Sequence, residues 1–167
     1  MCIFGWRQQV FSQTPVGSNF MTTLQTINIK FTQLNIDNVF ETLISTDNVL
    51  KEVFDNYIKD EYKDNKDERL NYFDIAEISR YLIDRLKNRQ TENFDAFFDA
   101  VENILNNCDT EIENLIVIGL FEGIQNIGGP EINYYTSFDK WLKPVSKLKW
   151  EKLIDFWEGK DWRTNKK

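Results

Sequence analysis

Carboxylates are the groups in this chain whose type and spacing permit chemistry, because the 167-residue sequence contains no histidine. The lack of imidazole removes the commonest general base and the commonest zinc ligand. Neither a phosphate-binding glycine loop nor a dinucleotide fingerprint occurs. The two cysteines, Cys2 and Cys108, do not suggest a disulfide framework and favour a reducing compartment. We therefore predict that the protein is not an enzyme and holds no cofactor and no metal.

The densest set of carboxylates lies on one predicted helix, which Thr91 caps and which runs from Glu92 to about Asn106. Within about 80° of its circumference it carries no lysine or arginine but four acidic residues, Glu92, Asp95, Asp99 and Glu102. Like charges one turn apart cost about 0.2–0.5 kcal/mol, and exposed helices usually mix signs instead. The face is therefore either a binding surface for a basic partner or a merely solvated face. Metal binding and acid–base catalysis are disfavoured, since both need a concave, partly desolvated setting.

A second predicted helix and an aromatic loop contain further residues that could take part in catalysis or in binding a partner. Glu122 lies near Asn114 and Gln125 on one face of another predicted helix, where a hydrogen-bonded network is favoured over a catalytic carboxylate. The aromatic loop INYYTSFDKWLKP contains Tyr134 and Tyr135, which are further candidates for contact with a partner.

The element expected to position these groups is the segment 109–127. Asp109 is a good N-cap, the acidic residues of the first turn suit the helix dipole, and Gly128-Gly129-Pro130 ends the segment. Apolar residues cover most of its circumference, which is typical of a helix packed against several neighbours. Gly119 and Gly123, one turn apart, permit another helix to cross closely at a propensity cost of about 1 kcal/mol each.

Other helices are predicted on both sides of this segment. Ile36 to Ile44 has helical spacing, and Ser45 or Thr46 is expected to cap the helix that follows. Apolar stripes predict the remaining inward positions, which are Val49, Leu50, Val53, Phe54, Tyr57, Ile58, Ile75, Ile78, Leu82, Leu86, Phe94, Phe97, Phe98, Val101, Ile104 and Leu105. In the last helix the positions expected inward or partly inward are Leu148, Trp150, Leu153, Ile154 and Trp157. In the last part of the chain, Ser137 is expected to cap a short helix and Ser146 the final one. The fold class is all-α, a single-domain bundle of about five to seven helices around the central buried helix 109–127.

The two ends of the chain are expected to lie outside this bundle. Residues 1–20 do not resemble a secretory signal and are interpreted as a leader, or alternatively as an arm that packs through its aromatic residues. Residues 23–32 alternate like a strand but have no evident partner strand, so an extended segment or a helical turn is equally expected. The helical domain is assigned to residues 21–160, and a basic, frayed tail to residues 161–167.

The charge of the chain is unevenly distributed around a net value of −7. Residues 46–111 contain seventeen Asp/Glu and nine Lys/Arg, and residues 140–167 contain nine Lys/Arg and four Asp/Glu. An acidic middle disfavours direct binding of nucleic acid and suits either a basic protein partner or solubility alone. No apolar run approaches the roughly 20 residues that span a bilayer. We expect a cytoplasmic protein without a membrane-inserted segment.

Three segments together resemble a known group of proteins. They are ENLIVIGLFEGIQN (residues 113–126), WLKPVS (141–146) and DFW (155–157). Over residues 72–158 the chain resembles small helical bacterial proteins associated with polymorphic toxin loci, which are taken to be immunity proteins that neutralise a cognate toxin. The resemblance implies that the matching positions define the fold, and it assigns no binding residue to this chain. The matching positions are Asn114, Gly119, Glu122, Gln125, Trp141, Pro144 and Trp157.

These observations favour a non-enzymatic immunity protein that binds a cognate toxin with a basic surface and blocks its active site or a nearby surface. The predicted contact residues are Glu92, Asp95, Asp99, Glu102, Tyr134 and Tyr135. One alternative is a helical adaptor or regulatory protein that binds another cellular protein. A third hypothesis, an enzyme that uses Glu122 with a metal, is disfavoured.

Overall fold

The computed structural model describes residues 34–63 and 69–164. The predictions for the leader 1–20, for residues 23–32 and for the end of the tail, residues 165–167, lie outside these ranges. Seven α-helices occur in the described part, together with one π-helix and one 3₁₀ helix. Their bounds are α1 Ile36–Ile44, α2 Asn48–Tyr62, α3 Asn71–Lys87, α4 Phe94–Asn107, α5 Thr110–Asn114, the π-helix Leu115–Phe121, α6 Glu122–Gly128, α7 Pro144–Glu158 and the 3₁₀ helix Lys160–Arg163. The prediction of an all-α bundle is confirmed.

The segments α5, π-helix and α6 follow one another without a break and form the central helix, residues 110–128. Its start is the predicted one, because the Asp109 side chain accepts a hydrogen bond from the Ile112 N–H at 3.0 Å. Its middle is wider than predicted: the N–H of Glu122 bonds to the carbonyl of Val117, five residues back. Leu115, Ile116 and Leu120 are almost fully buried. The central position of this element is confirmed, and its π-helical geometry is new.

Helix α3 crosses the central helix at its glycines, as the small-residue spacing predicts. A Cβ atom at Gly119 would lie 2.6 Å from Ile75 Cγ2, and one at Gly123 would lie 2.8 Å from Ser79 Oγ. The buried Ser79 hydroxyl donates a hydrogen bond to the carbonyl of Leu120 at 3.2 Å. A larger residue at either glycine would therefore push the two helices apart.

A buried carboxylate ties α2 to the start of α3. Asp74 is fully buried, and its Oδ1 accepts hydrogen bonds from the hydroxyls of Tyr57 and Tyr62 at 3.2 and 2.6 Å. Its Oδ2 accepts one from Arg69 Nε at 2.9 Å, and the Arg69 guanidinium also lies over the ring of Phe40. Removing one of these partners would leave a buried carboxylate incompletely paired, which is strongly destabilising.

Several local predictions of helix caps are wrong. The N-cap of α2 is Asp47, which accepts from the Val49 N–H, and not Ser45 or Thr46. Helix α4 begins at Phe94 after Asn93, so Thr91 is not its cap. The segment around Ser137 forms turns rather than a short helix. Ser146 is the third residue of α7, where its Oγ accepts from the N–H of Lys143.

The expected frayed tail is also wrong for residues 161–164. Trp162 is buried, and Arg163 forms ion pairs with Asp155 and Glu151 of α7. The Trp162 ring stacks on Tyr135 with centroids 5.6 Å apart. An aromatic residue in a basic segment thus holds the 3₁₀ helix against the bundle.

Candidate protein-binding surface

Asp95 and Asp99 occupy an exposed face of α4, with side-chain exposures of 73% and 65%. The structure adds a cation that the helix itself lacks, since Lys143 Nζ lies 3.8 Å from Asp95 Oδ1 and 3.0 Å from Asp99 Oδ1. Hydrogen bonding to Asp99 raises the pKa of Lys143, so this lysine stays charged at neutral pH. Two carboxylates sharing one ammonium leave this group with one net negative charge.

Glu92 lies before the first turn of α4 and faces α3. Its Oε2 is 3.4 Å from Arg85 Nη2, in an exposed ion pair. Arg85 also donates hydrogen bonds to the carbonyl and side chain of Gln90, which fixes the turn between the two helices. Glu92 therefore has a cationic partner that Asp95 and Asp99 do not share.

Glu102, the last member of the predicted stripe, serves the fold. Its two carboxylate oxygens accept hydrogen bonds from the N–H groups of Val145 and Ser146, each at 2.8 Å. Burial alone would raise the pKa of Glu102, but these backbone donors outweigh it and hold that pKa below its usual value. The carboxylate thus satisfies the first turn of α7, where Pro144 has no N–H.

Tyr134 and Tyr135 are likewise engaged inside the protein. Both hydroxyls donate hydrogen bonds to the carboxylate of Glu158, and the two rings lie 4.5 Å apart. Burial, followed by the hydrogen bond to Glu158, raises the pKa of Tyr134. Farther along the same loop, Phe138 and Trp141 are buried. The aromatic loop therefore fills the space between helices instead of forming an open aromatic surface.

The four acidic residues of the predicted stripe therefore differ in their surroundings. Lys143 and Arg85 come from other elements and pair with three of them, and the fourth caps α7. Asp95 and Asp99 are the two that combine high exposure with a shared, incompletely neutralising cation. They form the candidate site, together with Lys143.

The expected network around Glu122 is not present as predicted. Glu122 accepts a hydrogen bond from Asn126 at 3.4 Å, whereas Gln125 is buried. Within residues 34–63 and 69–164, no group of three or more Cys, Asp or Glu side chains could hold a metal ion. In the same ranges, no helix has both the length and the apolar character to cross a membrane.

A second surface was missed by the sequence analysis. Ile118, Phe156 and Trp157 are 45%, 76% and 59% exposed, although the stripe of α7 predicted Trp157 inward or partly inward. Leu148 is exposed as well. Adjacent aromatic residues point about 100° apart on a helix, so Phe156 and Trp157 cannot both face a narrow core. That adjacency is the signal that identifies this surface.

Comparison with known proteins gives one family. A family model with the description Domain of unknown function (DUF7674) matches residues 40–158, which is more than half of the chain. No curated protein and no solved structure matches this chain.

Proposed function

We propose that this chain, which belongs to the DUF7674 family, is a non-enzymatic immunity protein that acts in the cytoplasm. It binds a cognate toxin and neutralises it by covering the toxin's active site or a surface beside it. The proposal rests on the resemblance of residues 72–158 to immunity proteins and on one observation from the structure. That observation is the pair Asp95 and Asp99, which are highly exposed and share a single lysine.

The pair suits a basic side chain of a partner. Lys143 is only partly exposed and reaches the two carboxylates from the loop before α7. It occupies the position that a lysine or arginine of a toxin would take, and exposed ion pairs of this kind exchange partners at little cost because each contributes about 0–1 kcal/mol. An incoming guanidinium can bind a carboxylate through two parallel hydrogen bonds, which an ammonium cannot.

The sequence on both sides of this pair is acidic. Between Arg89 and Lys140 there are ten Asp/Glu and no Lys or Arg. The cations that neutralise part of this stretch all come from outside it. A surface of one sign attracts a partner of opposite sign and raises the association rate, most strongly at low salt.

The test compares two double variants that change the net charge equally. Asp95→Lys with Asp99→Lys reverses the candidate site, and Glu52→Lys with Asp60→Lys reverses two exposed residues of α2. Each protein is titrated against the toxin domain encoded beside this chain, at low and high salt. We expect the first double variant to bind at least tenfold more weakly, mainly through a slower association rate at low salt. The α2 control is expected to bind within about threefold of the wild type, since it leaves the contact intact.

Lys143→Met sharpens the test because it removes the internal competitor. A toxin that docks on Asp95 and Asp99 with a basic residue should bind this variant more tightly than the wild type. If wild type, Lys143→Met and both double variants bind with equal affinity, Asp95 and Asp99 are not at the interface. If the wild type neither co-purifies with the toxin nor inhibits it, the proposed function itself is wrong.

A further inference from the structure

A groove of about 340 Å³ runs between the central helix and α7, and none of the residues assigned to toxin binding lines it. One wall belongs to the central helix and the other to α7. Its charged lining residues are Glu113 and Glu122 on the first wall and Lys149 and Lys152 on the second. Both ionisable residues of the first wall are acidic, and both of the second are basic.

The rim of the groove exposes three large apolar side chains close together. Phe156 and Trp157 form an edge-to-face pair with centroids 5.0 Å apart, and both rings protrude into solvent. Ile118 protrudes from the opposite wall. Contiguous apolar patches of this kind mark contacts with another protein. The groove is concave and the aromatic pair is convex. The same surface therefore carries both a cavity and a protruding group that could occupy the cavity of another copy.

Two of the four charged residues that line the groove form an ion pair with each other. Lys149 pairs with Glu113 across it. In the described part of the chain, Glu122 and Lys152 form no ion pair, although Glu122 accepts a hydrogen bond from Asn126. One anion on one wall and one cation on the other thus remain available.

We propose that a second copy of this chain binds in the groove and forms a two-fold symmetric dimer. In a two-fold interface, residue i of one copy contacts residue j of the other, and j contacts i. A surface with acidic and basic walls is complementary to itself under that symmetry, so Lys152 of each copy meets Glu122 of the other. The protruding Phe156 and Trp157 of each copy then fill the groove of its partner. A different protein would have to carry the same arrangement of acidic, basic and aromatic side chains independently. A second copy of this chain carries that arrangement because its sequence is identical.

The size of the surface sets the strength of the dimer. The exposed patch is on the order of a few hundred Å² per copy. A standard stable interface buries about 800 Å² per partner, so this one belongs to the weak, reversible class. We expect a dissociation constant on the order of 10–100 µM, at which monomer and dimer coexist in a concentration series.

The first experiment is sedimentation velocity of the full chain at concentrations up to about 1 mM, ten times the upper expected constant. The wild type should pass from monomer to dimer with increasing concentration. Phe156→Asp should stay monomeric, because the substitution places two charges in the apolar contact. Phe73→Asp is the matched control: Phe73 is 66% exposed on α3 and does not line the groove. It should dimerise like the wild type, with both variants retaining the wild-type circular dichroism spectrum.

The second experiment tests the symmetry through charge reversal. Lys152→Glu places glutamates opposite each other at two sites of its own dimer, and Glu122→Lys places lysines opposite each other. Each variant alone should dimerise about tenfold more weakly. An equimolar mixture should recover the wild-type affinity, because the heterodimer restores an acidic–basic pair at both sites.

A wild type that is monomeric throughout the series overturns the proposal. So does a dimer that Phe156→Asp leaves intact or that Phe73→Asp abolishes. A mixture of the two charge variants that stays as weak as each alone would exclude the two-fold arrangement. None of these measurements involves the toxin, so their failure leaves the proposed function unaffected.

Discussion

Glu102 gives α7 a cap that the sequence around α7 does not contain. The helix starts with Pro144, and the next two N–H groups, of Val145 and Ser146, point at the Glu102 carboxylate. Lys143, the N-cap residue, donates its own N–H to Ser146 Oγ at 2.9 Å. Every donor of the first turn is thus satisfied, and two of them depend on a residue more than forty positions earlier.

Removing this carboxylate should destabilise the protein more than removing an exposed neighbour. Glu102→Ala leaves two backbone donors without their partner, and we expect the free energy of unfolding to fall by about 1–3 kcal/mol. Asp95→Ala, on the exposed face of the same helix, should change it by no more than about 0.5 kcal/mol. Urea denaturation of the two variants and the wild type measures both values. Equal losses would show that Glu102 does not cap α7 in solution.

The pH dependence of stability should report the same contact. The folded-state pKa of Glu102 lies below its ordinary value of 4.5. Its contribution is therefore fully present above about pH 4.5 and is lost as the pH falls through the folded-state pKa. The stability difference between wild type and Glu102→Gln should shrink as the pH decreases from about 7 to about 3. A difference that stays constant over this range would mean that the substitution acts through lost packing rather than through lost charge.

At the scale of the residue, the sequence predicts which side chains are exposed better than it predicts the partners that they contact. The helical wheel correctly places Asp95 and Asp99 on the exposed face of α4. It cannot reveal that Lys143 pairs with them or that Glu102 turns to α7, because these partners lie 43 to 48 positions away in sequence and meet only through tertiary packing. Local pattern carries no information about such contacts.

At the scale of the element, the ends of the central helix follow from the sequence and its interior does not. Asp109 and the glycine pair at 128–129 set its limits by local chemistry. A regular wheel places Ile118, Glu122 and Gln125 on one face, yet Ile118 is exposed and Gln125 is buried. Each turn of the π-helix holds more residues than an α-turn, so the face predicted by 100° steps drifts around the axis. Nothing in the run LIVIGLF distinguishes the two geometries.

Two positions of the π-helix, Leu120 and Ile118, should differ strongly in how far the same substitution lowers the stability of the protein. Leu120 is fully buried, so Leu120→Asp places an unpaired charge in the core. That cost is several kcal/mol against a typical total stability of about 5–15 kcal/mol, and we expect the bundle to unfold. Ile118→Asp, on the rim of the groove, should melt within a few degrees of the wild type. Thermal melts followed by circular dichroism decide this, and a native melt for Leu120→Asp would show that the central helix is peripheral.

At the scale of the whole molecule, the uneven distribution of charge along the chain serves the fold. The acidic stretch between Arg89 and Lys140 obtains its counterions from the segments on either side. Arg85 and Lys87 precede it and pair with Glu92 and Glu131. From the side that follows, three lysines reach acidic residues of this stretch, namely Lys143, Lys147 and Lys149. The sequence shows the segregation of charge, whereas only the packing shows that the two classes of segment face each other.

This arrangement predicts that lysines of equal charge differ in their effect on stability. The double variant Lys143→Met with Lys149→Met removes cations that face the acidic stretch. Lys59→Met with Lys160→Met removes two exposed cations that form no ion pair within the described residues, so the net charge changes equally. At low salt we expect the first variant to have a lower free energy of unfolding than the wild type, whereas the control should stay within about 0.5 kcal/mol of it.

Salt should remove the difference between the two variants, because at about 1 M ionic strength the screening length falls to about 3 Å. Methionine keeps the apolar stem of lysine, so packing is nearly unchanged and the comparison isolates charge. The measurement is urea denaturation of both double variants at low salt and in molar sodium chloride. A deficit for the Lys143 and Lys149 variant that persists unchanged in high salt would come from lost packing. The pairing of acidic and basic segments would then contribute nothing to the stability of the bundle.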